Sequence, residues 1–165
     1  NGFSKPFAMT GWRVGYAVGP KAIIEKIGLL SQTIVSCVPP FLQDACIIAL
    51  KNKNEFAARY TRVYQELRNV VCEELRKSNV LGFTVPKGAF YIMIDISGTG
   101  LNGDEFADHL LKEENVVVCP GSGFGAFGKN YIRICYARPK DEVKEGCERI
   151  MKAVSNLQSK IHIRD

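Results

Sequence analysis

The 165-residue sequence contains no apolar run of membrane-spanning length and no block of like charges. Its net charge of +5 is mild, and the basic residues lie on the solvated faces of predicted helices, at residues 51–62 and 140–149. We therefore expect neither membrane insertion nor nucleic-acid binding. The two histidines, His109 and His162, are far apart and have no ligand-like neighbours, so no metal site is predicted.

The sequence also has no C-x-x-C pair among its six cysteines. They fall in apolar or amphipathic segments, where cysteine is most often a small buried hydrophobe. This usage favours a reducing compartment, and hence the cytoplasm, over a disulfide scaffold. The six are Cys37, Cys46, Cys72, Cys119, Cys135 and Cys147.

The apolar content of 46% and charged content of 24% are those of a soluble globular segment with one domain or slightly more. Apolar periodicity and the positions of proline and glycine predict alternating helices and strands. The apolar stripe at Phe56, Tyr60, Val63, Leu67, Val71 and Leu75 is interpreted as core. The predicted helices are 21–36, 41–51, 54–77, 104–113 and one that begins at Pro139, the predicted strands are 13–18, 83–85, 89–96, 116–119 and 131–136, and the tail 159–165 is expected to fray.

One glycine-rich segment, residues 123–128, matches G-x-G-x-x-G. A dinucleotide site needs this loop to open a helix, whereas here it precedes a predicted strand. A kinase-type loop does lie between strands, but no further kinase motif follows. We interpret the segment as a surface or domain-interface turn that needs positive φ angles.

Three basic residues could take part in catalysis or in ligand binding. A lysine amine such as that of Lys5 can form an imine with an aldehyde cofactor, and Arg13 offers a planar fork for phosphate oxygens. Their spacing alone is a weak signal, because lysine and arginine are mostly exposed and such a spacing is far more typical of solvated surface charges. Arg133 lies in the predicted strand YIRICY, where it either points to solvent from a half-exposed sheet or grips a carboxylate with two hydrogen bonds.

The whole run of residues 4–16, SKPFAMTGWRVGY, resembles the cofactor-lysine signature of the pyridoxal-phosphate-dependent aminotransferases of fold type I, class I/II. The segments 86–91 (PKGAFY), 120–125 (PGSGFG) and 131–134 (YIRI) resemble landmarks of the small domain of that family, in the family's order. The resemblance covers nearly the whole chain and is nearest the aspartate-preferring or broad-specificity branch.

The resemblance implies roles for individual residues. Lys5 would bind pyridoxal 5'-phosphate covalently and act as the catalytic base, Arg13 would bind the cofactor phosphate, and Arg133 would bind the substrate α-carboxylate. Several relatives place a phosphate-binding serine three residues before the lysine, where this chain has Gly2, so Ser4 is the candidate in its place.

The resemblance also implies an α/β fold, the PLP-dependent transferase fold, with residues 1–50 as the end of the large domain and 51–165 as the small C-terminal α+β domain. The expected substrates are an amino acid and a 2-oxo acid, and the expected assembly is a homodimer. We expect the family's other cofactor-binding residues upstream of this chain, which alone would then be inactive.

Four alternatives remain for the function of this chain. They are a carbon–sulfur lyase, a cyclopropane-forming synthase, a non-catalytic domain and a kinase-like module.

Overall fold

The computed structural model describes residues 1–161, with side chains described up to Ser159. The predicted frayed tail is helical as far as Ile161, and His162 lies outside the described residues. The chain divides into two compact units, residues 1–62 and the residues from Val63 onward. The predicted domain boundary after residue 50 stays a prediction.

The first unit begins with a loop whose ends pair with each other. The Asn1 amine donates to the Tyr16 carbonyl at 2.8 Å, the Tyr16 N–H donates to the Asn1 carbonyl at 2.8 Å, and the Phe3 N–H donates to the Val14 carbonyl at 3.2 Å. The strand predicted over residues 13–18 is wrong, because only an isolated bridge between Gly2 and Gly15 forms. No further residues extend the pairing into a ladder within the described chain, so this segment stays irregular.

Two helices follow, α1 over Lys21–Ile34 and α2 over Pro40–Lys51, which confirms both predicted helices to within two residues. A proline at the N-cap of each helix, Pro20 and Pro39, fixes φ where the helix starts but offers no side-chain hydrogen bond. No residue of α1 is buried. The core of this unit consists of Phe3, Met9, Cys46 and Ala49.

Helix α3 covers Lys53–Leu75 and passes from the first unit into the second. Of its predicted core stripe, Leu67, Val71 and Leu75 are buried. Val63 is 46% exposed, so the stripe is core only toward the C-terminal end of the helix. Helical spacing defines a face of the helix, but burial also needs a neighbouring element to cover that face.

The second unit contains four strands, β1 Gly82–Phe83, β2 Tyr91–Asp95, β3 Cys119–Pro120 and β4 Tyr131–Cys135. They form an antiparallel sheet of order β1-β2-β4-β3. Its strands β2 and β4 are full-length and confirm the predictions. The edge strands β1 and β3 have two residues each, so the strands predicted over 83–85 and 116–119 are largely wrong. Val116 and Val118 pack against the core without joining a ladder.

One face of this sheet is covered by helices. Ile92 and Ile94 of β2 and Ile132 of β4 are fully buried on it, together with side chains of α3, of α4 (Gly103–Glu114) and of α5 (Lys140–Ile161). Helix α4 starts with a capping box, in which the Asn102 side chain accepts from the backbone and the Glu105 carboxylate accepts from the Asn102 N–H. The apolar pattern of α5 is buried as predicted, at Val143, Cys147, Ile150 and Val154.

The opposite face of the sheet is only partly buried. Register places Met93 directly across from Arg133 on β4, and Tyr91 across from Cys135. All six cysteines are free, but Cys37 and Cys135 are exposed, so the expectation of buried cysteines is wrong for these two. Within residues 1–161 no helix is both long enough and apolar enough to cross a membrane.

Candidate functional site

Lys5 lies exposed on the loop between the paired ends of the N-terminal segment. A turn shapes this part of the loop, since the Phe7 N–H donates to the Phe3 carbonyl at 3.3 Å and the Ala8 N–H to the Lys5 carbonyl at 3.4 Å. The ring of Phe3 is 3% exposed and lies 5.4 Å from that of Phe7. The loop is therefore anchored by aromatic packing on each side of Lys5, which is itself exposed.

Arg13 lies at the other end of the same loop, after the 3-10 helix Thr10–Trp12. Its backbone is left-handed, with φ 54°. The exposed guanidinium donates from Nη1 to the Thr10 carbonyl at 2.9 Å, and among the described residues it has no carboxylate partner. A guanidinium that is fixed on one side and not neutralised suits a phosphate group.

The structure brings Lys5, Ser4 and Arg13 onto one loop of the first unit. Ser4 is half-buried beside Lys5 in the chain. Gly2, three residues before Lys5, takes part in the bridge to Gly15. A Cβ on Gly15 would lie 3.0 Å from the Asn1 carbonyl oxygen, so this crossing of the loop ends is tight.

Arg133 lies in β4 of the second unit, on the partly buried face of the sheet. Its guanidinium carbon is 4.4 Å from the centroid of the Tyr91 ring and 4.6 Å from that of the Phe124 ring. Such distances are within cation–π range. The side chain therefore neither extends into solvent alone nor meets a carboxylate of a described residue.

Residues 121–128, which include the glycine-rich segment 123–128, form two short 3-10 helices, Gly121–Phe124 and Ala126–Gly128. Gly125 has φ 115°, which confirms the predicted positive φ at one position. Gly121 and Gly128 are needed for another reason: a Cβ on either one would collide with the backbone of the other. The segment is therefore a tightly closed turn that carries Phe124.

Sequence reasoning did not single out Tyr91 and Phe124. Both belong to segments that resemble family landmarks, 86–91 and 120–125, and this was the available signal. The turn before Tyr91 is held from within the second unit. The Arg68 Nη1 donates to the Pro86 carbonyl and the Tyr136 hydroxyl to the Ala89 carbonyl, both at 3.2 Å.

Comparison with known proteins agrees with this geometry. Residues 1–150 match the family model described as aminotransferase class I and II. The chain is 40% identical to an aspartate aminotransferase of Pyrococcus horikoshii and to an aromatic-amino-acid aminotransferase of Thermococcus litoralis, over 93% of this chain and 40% of each relative. It thus spans about 40% of the length of these relatives.

Solved structures give the same result. An aromatic aminotransferase from Pyrococcus horikoshii superposes with a TM-score of 0.91 at 38% identity, covering 96% of this chain and 42% of the other. An aspartate aminotransferase from Rhizobium meliloti does so with a TM-score of 0.86 at 35% identity, covering 94% and 41%.

The fold and the signature loop define a portion of a fold-type-I, α/β protein, as predicted. The chain belongs to the class I and II aminotransferase family. The predicted resemblance to this family is confirmed.

Proposed function

We propose that this chain is the part of a pyridoxal-phosphate-dependent aminotransferase that carries the cofactor lysine, the phosphate-binding arginine and the substrate-binding arginine. One observation carries the proposal. The signature residues Lys5 and Arg13 lie exposed on a single loop whose ends are tied together by backbone hydrogen bonds. In this proposal the amino group moves from an amino acid to a 2-oxo acid.

The residues present fit the cofactor. An aldehyde needs a primary amine, and Lys5 presents one outside the core. A phosphate needs a cation with several N–H donors, and Arg13 has one guanidinium nitrogen fixed on Thr10 while its exposed fork keeps further donors. Ser4 would add a hydroxyl donor beside the lysine.

We propose catalytic or binding roles for two side chains, those of Lys5 and Arg133. The Lys5 amine would take the proton from the substrate Cα and return one, as a general base and then a general acid. Arg133 would bind the α-carboxylate with two parallel hydrogen bonds and so orient the Cα–H bond. Pyridoxal phosphate, when bound, supplies the electron-withdrawing ring that accepts the negative charge left at that carbon.

The test compares two lysines of the same unit in the longest natural polypeptide that contains this sequence. Lys5→Ala should reduce amino-group transfer from aspartate or phenylalanine to 2-oxoglutarate by about a thousandfold or more, since a general base contributes about a hundredfold to ten-thousandfold and the covalent anchor is lost too. Lys21→Ala is the matched control, because its exposed side chain pairs, among the described residues, with the Glu25 carboxylate at 3.8 Å. Equal activity of the two variants would contradict the proposal.

We further propose that the enzyme is a cytoplasmic homodimer of amino acid metabolism. The six free cysteines favour a reducing compartment. The exposed apolar side chains of α1, among them Leu30 at 61% and Ile34 at 78% exposed, favour burial against further protein. In this proposal residues 1–50 are the end of the large domain, residues 51–165 form the small domain, and the chain alone is inactive.

A further inference from the structure

We propose that Tyr91 and Phe124 are positioning residues, which hold the Arg133 guanidinium in the orientation that receives a carboxylate. The carboxylate part of this inference rests on the proposed function. The orientation part does not, because it follows from the geometry of the second unit alone.

The two rings reach Arg133 from different sides of its strand. In the sheet, β2 lies on one side of β4 and β3 on the other. Tyr91 belongs to β2, and Phe124 ends the 3-10 helix that directly follows β3. Their centroids lie 4.4 Å and 4.6 Å from the guanidinium carbon. Neighbours on both sides limit the directions that the Arg133 side chain can take.

Aromatic neighbours suit a guanidinium that must keep its donors for a ligand. A carboxylate neighbour would accept in-plane N–H bonds and occupy the fork. A ring attracts the cation through its π face and needs none of those N–H groups as conventional hydrogen-bond donors. Among the described residues Arg133 forms no ion pair, so its orientation is set without a competing acceptor.

Phe124 is 55% exposed, and an exposed ring can orient a neighbour only if its own backbone is fixed. The close approach of Gly121 and Gly128 fixes it. The Ser122 hydroxyl donates to the Asp104 carboxylate of α4 at 3.0 Å, which ties the same 3-10 helix to the rest of the unit. The turn is therefore built to hold this ring in place, which lowers the ordering cost of carboxylate binding.

The first arm of the experiment measures the order of Arg133 in the longest natural polypeptide that contains this sequence. The ¹⁵N order parameter of its Nε–H group should be near the rigid value of about 0.85 and fall below about 0.6 in Phe124→Leu. Phe127→Leu is the matched control, because this phenylalanine lies on the same turn but is 100% exposed. Phe124→Trp, which keeps a π face, should preserve the order.

The second arm measures KM and kcat in the longest natural polypeptide that contains this sequence, with 2-oxoglutarate as the carboxylate substrate. Phe124→Leu should raise KM about fivefold with little change in kcat, the size expected for one partly exposed cation–π contact. Phe127→Leu should leave both constants unchanged, and Phe124→Trp should restore KM.

The arms separate failure of this inference from failure of the proposed function. Unchanged order in Phe124→Leu would overturn the inference, whatever the activity. If Phe124→Leu lowers the order of Arg133 but leaves KM unchanged, the KM of Arg133→Lys tells which of the two proposals has failed. A raised KM in Arg133→Lys would then overturn the carboxylate part of this inference and leave the proposed role of Arg133 standing, whereas an unchanged KM would overturn that proposed role itself.

Discussion

Residues 1–62 and the residues from Val63 onward bury apolar side chains to very different extents. Among the described residues, the core of the first unit has four buried members and that of the second has seventeen. The first unit nevertheless carries the family signature with Lys5 and Arg13. The motif that identifies the family is thus carried by the less packed unit.

The helices of the two units show the same contrast. Helix α1 buries no residue, although Ile23, Leu30 and Ile34 lie on it. Helix α4, of similar length, buries Phe106 and Leu110 completely. Because burial of apolar area is the main stabilising contribution, we expect the second unit to dominate the stability of this chain.

The largest expected effect is a difference in alkylation rate between two cysteine thiols, Cys37 of the first unit and Cys147 of the second. Burial, the main cause, raises the pKa of Cys147 from 9.0 to about 12, whereas Cys37 is exposed. Three pKa units lower the thiolate fraction about a thousandfold. Labelling with iodoacetamide at pH 8, followed by peptide mass mapping, should therefore modify the exposed Cys37 far faster than the buried Cys147. Comparable rates would contradict the burial contrast.

The same shift predicts a pH dependence of stability. Folding raises the pKa of Cys147, so its stabilising contribution is fully present below pH 9 and is lost as the pH rises through about 12. The free energy of unfolding should fall over this window, and less steeply in Cys147→Ala than in the control Cys37→Ala. Denaturant titrations at several pH values measure it, and identical slopes would count against the account.

The next effect compares the same substitution in the two units. Ile132→Ala removes a fully buried side chain from the sheet and should cost about 3 kcal/mol of unfolding free energy. Ile34→Ala changes a side chain that is 78% exposed and should cost less than about 0.5 kcal/mol. Urea unfolding at constant m-value measures both. A larger cost at Ile34 would reverse the comparison.

The smallest expected effect on the free energy of unfolding concerns the N-terminal caps of the helices. The Asn102 side chain accepts from the Asp104 and Glu105 N–H groups at 3.0 Å, whereas helices α1 and α2 of the first unit start without a side-chain cap. Asn102→Ala should therefore cost about 1 kcal/mol of unfolding free energy. Asn54→Ala, an exposed change in the first turn of α3, should stay within about 0.5 kcal/mol. The same denaturation assay tests whether the two variants differ.

Sequence predicted the long elements well and the short ones poorly. The helices and the strands β2 and β4 were found because their apolar period repeats over enough residues. The edge strands were misplaced because the valines at 116–118 look like a strand, yet ladder pairing at β3 is limited to Cys119 and Pro120. Such pairing depends on partners distant in the chain, which local pattern does not contain.

The candidate site shows the same limit. Residues 4–16 form one continuous string, so the resemblance named Lys5 and Arg13 directly. The left-handed backbone of Arg13 was not foreseen, since residue type alone gives no reason for φ 54° at an arginine. The rings around Arg133 come from positions 91 and 124, and only the folded sheet brings these together.

The most direct test of the account is borohydride reduction in the presence of pyridoxal 5'-phosphate, followed by peptide mass mapping. In the longest natural polypeptide that contains this sequence, the account predicts a single pyridoxyl adduct on Lys5, with none on Lys21 or Lys26 of the same unit. No adduct, or adducts scattered over many lysines, would contradict the assignment of Lys5 as the cofactor lysine.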